Sequence, residues 1–132
     1  MWDRFTIATV LVGALVTGCG LAPANKLVSA NIPRAPSQES AALEEAVATV
    51  AEARYEEAAA RLSPLTVKFE AANDRRRSAE SLFWLAYCYE KLGRTGDAAR
   101  LYRQVIEQYN SQPPARQAAR RLSVIPEADR IR

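Results

Sequence analysis

The stretch AESLFWLAYCYEKLGRTGDAARLYRQVI, residues 79–106, decides the fold. Leu82, Leu85, Ala86 and Tyr89 recur at helical spacing on one face, and beyond Gly93-Arg94-Thr95-Gly96 the residues Ala98, Leu101, Tyr102, Val105 and Ile106 do the same. Two amphipathic helices joined by so short a turn form an antiparallel pair. The first helix has a second apolar side, Phe83, Trp84, Tyr87 and Cys88, so the pair cannot complete its own core and needs helical neighbours.

Those neighbours are legible on both sides. From residue 39 onward the chain is rich in Ala, Leu, Glu, Arg and Gln, with no β-branched alternation, and the expected fold class is all-α. Helices are expected at 39–52, 55–71, 75–92, 95–109 and 114–122, with Asp74 capping the third and Pro113-Pro114 in the first turn of the fifth. Arg54-Tyr55-Glu56-Glu57-Ala58 reads as a degenerate copy of the second-helix start, forty residues before its counterpart at Ala98. Residues 114–122 read as a final capping helix, with Ala115, Ala118, Ala119 and Leu122 inward and the arginines in water.

Counted from Ala79, the pattern Leu82, Leu85, Ala86, Tyr89, Gly93, Ala98, Tyr102 resembles the tetratricopeptide repeat. Leu82 stands where the family often has Trp, Val105 where it has Ala, and Asn110 where it has a terminal Pro. The resemblance implies a short helical-hairpin array of about two repeats plus a cap over residues 39–122, with residues 123–132 as a disordered tail. It also implies a concave groove lined by the first helices of successive repeats, which here presents Glu80, Phe83, Tyr87, Glu90 and Lys91 to a partner segment. Phe83, Tyr87 and Lys91 fall at i, i+4, i+8 and suit an apolar anchor beside a carboxylate; equally, the two aromatics suit packing against the second helix, with Lys91 solvated. The two-carboxylate clamp of chaperone-binding repeats needs Lys and Asn where this chain has Phe83 and Tyr87.

The amino terminus reads as an address. A weakly charged start precedes an apolar run from Phe5 to Leu15, shorter than the about 20 residues that span a bilayer, and then comes Val16-Thr17-Gly18-Cys19. That segment resembles the bacterial lipobox, which implies loss of residues 1–18 as a signal peptide and lipid attachment at Cys19. The alternatives are a conventional cleavage site that happens to have a cysteine nearby, or an uncleaved anchor. Gly20, rather than Asp, follows the cysteine, which in enterobacteria-like sorting sends a lipoprotein to the outer membrane, facing the periplasm. Residues 19–38, with three prolines and no periodicity, are expected to be a flexible tether reaching about 25 Å. A repeat array behind a lipobox and a short tether resembles the envelope repeat lipoproteins of the β-barrel assembly and Tol-Pal cell-division systems, which implies a protein partner in the cell envelope.

Composition narrows the chemistry. The 132 residues contain no His, which removes Ser-His and Cys-His catalysis and the commonest zinc ligand, and the carboxylates Glu44 and Glu45 point apart on an exposed helix. No enzyme, cofactor or metal is therefore expected. Cys88 reads as a small core residue and Trp84 as an interface plug. The net charge is +3, but residues 39–58 have six acids against one base and 110–132 five arginines against two acids. In an exported protein that asymmetry points away from nucleic acid and toward either anionic lipid or an acidic partner, or else ordinary solvated helix faces and a frayed end. Three functions follow in order: a lipid-tethered adaptor, a structural lipoprotein subunit stabilising an envelope assembly, and a binding protein or hydrolase for cell-wall fragments.

Overall fold

The computed structural model describes residues 37–130. The expected signal peptide, the expected lipid attachment at Cys19 and the expected tether up to residue 36 lie outside the described residues. Six helices and no strand occur among those described: α1 Gln38–Ala51, α2 Tyr55–Ala71, α3 Arg75–Lys91, α4 Thr95–Gln108, α5 Pro113–Val124 and α6 Glu127–Arg130. The expected all-α hairpin array is what the chain forms, with every expected helix present to within two residues at each end.

The first three turns share one geometry. Ala53, Asn73 and Gly93 all take positive φ, at 62°, 54° and 76°, twenty residues apart. In each, the next amide reaches back five residues: Arg54 N donates to Thr49 O at 3.2 Å, Asp74 N to Phe69 O at 2.9 Å and Arg94 N to Tyr89 O at 2.8 Å. These are Schellman ends, which satisfy the last carbonyls of a helix and reverse the chain within three residues. Gly93 adopts the left-handed conformation freely, whereas Ala53 bears a cost of about 1 kcal/mol there. The starts are secured as well. Asp74 caps α3 by accepting from Arg77 N at 3.1 Å, and Ser37 caps α1 by accepting from Ser40 N at 3.3 Å.

Burial repeats every forty residues. Ala58, Ala59, Leu62, Leu65 and Phe69 of α2 are buried, and so are Ala98, Ala99, Tyr102, Val105 and Tyr109 at and just beyond α4. Small residues sit where the helices approach closely, and large ones fill the spaces between them. Helix α3 serves two cores at once: Leu82, Phe83 and Ala86 pack with α4 and α5, while Leu85 and Cys88 pack with α1 and α2. Its second apolar side thus has the helical neighbours that the pattern demands. Trp84 packs against both clusters.

Three expectations are corrected. The tail is not structureless from 123: α5 runs to Val124, Ile125 is 4% exposed in the core, and Arg130 closes the end by donating from Nε to Ile125 O and from Nη2 to Ser123 O, both at 2.7 Å. The apolar Ile125 supplies the burial that holds the short α6 against α4. Ala119 is exposed while Ala115 and Ala118 are buried, because α5 presents a narrower inward face than four inward residues require. Arg121 does not lie in water but in an ion pair with α3.

Candidate partner-binding face

Helix α3 runs between the two cores and leaves one stripe uncovered. Glu80, Trp84, Tyr87 and Lys91 follow i, i+4, i+7, i+11, and none of them is buried. The centre of that stripe is Tyr87. Its ring stands edge-on to Trp84, with centroids 5.9 Å apart at 87°, and to Tyr55 at the start of α2, with centroids 6.3 Å apart at 72°. Two cations lie over the same ring, Lys91 Nζ at 5.3 Å and the Arg121 guanidinium at 4.9 Å.

Arg121 is held in place from below. It donates from Nη2 to Glu90 Oε1 at 2.6 Å and from Nε to Glu90 Oε2 at 3.1 Å, a two-bond clasp between α5 and α3. Tyr102 of α4 donates its hydroxyl to Glu90 Oε2 at 2.9 Å. Burial, and then the Glu90 carboxylate, push the Tyr102 phenol well above its ordinary range, so it remains a donor. Three helices therefore converge on one carboxylate.

The five residues expected to line the groove are distributed unequally. Tyr87, Glu90 and Lys91 come together around Arg121. Glu80 lies two turns away, about 10 Å along α3, in a shallow cleft of about 430 Å³ shared with Ser40, Leu43, Glu44 and Val47 of α1. Phe83 leaves the stripe: it is 7% exposed and packs on Trp84 and Tyr102, with centroids 5.4 and 5.8 Å away. An i, i+4 spacing from Tyr87 selects Phe83, whereas the helix turns Trp84 toward the open side. Arg121 and Tyr55 carry no local signal, because 31 and 32 residues separate them from Glu90 and Tyr87 and no periodicity links them.

This arrangement can hold an apolar side chain against Trp84 and Tyr87 and a carboxylate against Lys91, which forms no ion pair among the described residues. Cys88 takes no part. It is fully buried, and burial pushes its thiol up to about 11, so it remains protonated and inert at neutral pH.

A stack of helical hairpins with an open stripe on α3 defines a class of protein, the helical-repeat interaction module. The comparison with known families agrees: residues 80–109, α3 from Glu80 through the end of α4, match the tetratricopeptide repeat family. No curated protein and no solved structure matches the chain. The family match supports protein–protein interaction or scaffolding as the work of the domain.

Proposed function

We propose that this protein is a lipoprotein of the bacterial cell envelope, anchored through Cys19 in the outer membrane and facing the periplasm, whose helical-repeat domain binds another envelope protein through the Tyr87 face. The observation that carries the binding half is the Tyr87 ring itself: partly open, walled by Trp84 and Tyr55, and flanked by the unpaired Lys91. Partner anchors of this kind concentrate at aromatic pockets with a neighbouring charge. The anchoring half rests on the sequence Val16-Thr17-Gly18-Cys19 behind the apolar run.

Each half has its own test. Cys19→Ala should move the exported protein out of salt-washed membranes into the soluble fraction; retention by membranes after a high-salt wash, which removes purely electrostatic lipid contacts, contradicts the anchor. Tyr87→Ala, whose partly buried side chain packs on the edge of the α1–α2 core and leaves the buried residues themselves intact, should keep the helical circular-dichroism signal and lose whatever envelope protein co-purifies with the wild type after gentle solubilisation. Unchanged co-purification contradicts the Tyr87 face.

A further inference from the structure

The last full helix has a surface that the Tyr87 face does not use. Arg116, Arg120 and Val124 fall at i, i+4, i+8 along α5, and all three are exposed. Among the described residues neither arginine forms an ion pair; Arg75, Arg76, Arg103 and Arg130 form none either, but Arg75 and Arg130 donate to backbone carbonyls, and of these unpaired arginines Arg116 and Arg120 are the two that line one cleft together. Val124 is 76% exposed, and the other open large hydrophobic of the described residues, Val67 at 64%, lies on α2.

Beside the two arginines an open cleft of about 450 Å³ is lined by Asn110, Ser111, Gln112 and Gln117 together with Arg116 and Arg120. Its walls are amides, a hydroxyl, guanidiniums and the Pro113 ring, with no carboxylate. The acids of the same terminal segment are kept away: Glu127 and Asp129 belong to α6, which packs on α4, and Asp129 faces a different cleft with Arg94 and Arg100.

Unpaired guanidiniums in a cleft of neutral hydrogen-bonding groups suit the oxygens of an anion. A soluble anion leaves the exposed valine on the next turn of the same stripe unexplained. A membrane surface accounts for both, because phosphates lie above an apolar layer that accepts a branched side chain. We propose that the Arg116–Arg120–Val124 stripe docks the domain on an anionic lipid surface, with the guanidiniums on headgroup phosphates and Val124 at the acyl boundary. This contact is separate from the anchor at Cys19 and does not depend on it.

The test uses the full chain with a fluorescent amino acid at position 124, or at 67 as control, mixed with vesicles of phosphatidylcholine alone or of equal parts phosphatidylcholine and phosphatidylglycerol. The expected result is a blue shift at 124 and none at 67, confined to the anionic vesicles. Half-saturation should weaken roughly fivefold with Arg116→Gln and roughly thirtyfold with Arg116→Gln/Arg120→Gln. Binding through a lipid at Cys19 or through the apolar run Phe5–Leu15 acts alike on all variants and on both vesicles, so it leaves these differences intact and reads out separately. No shift at 124, an equal shift at both positions or on both vesicles, or an undiminished shift in the double variant overturns the proposal. So does protection of the arginines by inorganic phosphate with no vesicle response, which assigns the cleft to a free anion.

Discussion

The hairpins α1–α2 and α3–α4 share a frame and differ in how it is filled. Their second helices bury the same five positions forty residues apart, and their turns make the same five-residue backbone bond. The fillings diverge. Leu62, Leu65 and Phe69 occupy the first hairpin where Tyr102, Val105 and Tyr109 occupy the second, and the first turn forces Ala53 into the conformation that Gly93 adopts without cost. Helix α2 also runs through Pro64, which lacks the N–H that would bond the Ala60 carbonyl. The match to the repeat family falls on the second hairpin, at residues 80–109. A repeat architecture is thus carried by the placement of small and large residues and by turn geometry, while residue identity is what makes a copy recognisable.

This contrast can be tested by substitution, from the largest effect to the smallest. Tyr102→Ala should cost about 4 kcal/mol in urea unfolding and its counterpart Leu62→Ala about 3 kcal/mol, both from emptied, fully buried sites. Equal costs would mean that aromatic filling adds nothing to the second hairpin. Removing the helix breaker by Pro64→Ala should stabilise the protein by up to about 3 kcal/mol, and a neutral result would show that α2 has already adapted to the missing bond. The turns should respond with opposite signs: Ala53→Gly should gain about 1 kcal/mol and Gly93→Ala lose about as much, since a Cβ at 93 meets no atom within 4 Å and only backbone preference is at stake.

The smallest effect depends on pH. The amide of Arg77, followed by its guanidinium, holds the Asp74 carboxyl below the usual range. A depressed folded value means that the cap's contribution is complete above the unfolded pKa of about 4 and fades as pH falls through the lower folded value. Wild type should therefore lose more stability than Asp74→Asn between about pH 5 and pH 2, by up to about 1 kcal/mol. Parallel acid-unfolding curves would remove Asp74 from the account.

Most of the fold is legible in the sequence, because amphipathic spacing, Asp74 and Pro113-Pro114 are local signals read within one helical turn. What escapes is either chemically silent or remote. Ala53 has nothing in its identity to announce a left-handed residue; only the twenty-residue spacing to Asn73 and Gly93 exposes it. The Glu90–Arg121–Tyr102 cluster joins three helices, and such a meeting follows from packing rather than from periodicity. The exchange of Phe83 for Trp84 on the open stripe has a simpler cause: α3 is apolar on two sides, so spacing alone cannot say which of two adjacent aromatics turns to solvent. Ile125 is readable as an apolar residue just ahead of Pro126, yet its burial requires α5 to continue to Val124.

Whether the Tyr87 face engages a partner can be read by photo-crosslinking in living cells from a probe at position 87, with a matched probe at Arg100, whose side chain is 71% exposed on α4. One recurrent protein adduct is expected from position 87 and none from position 100. Adducts from neither position, or the same adducts from both, would contradict engagement at this face.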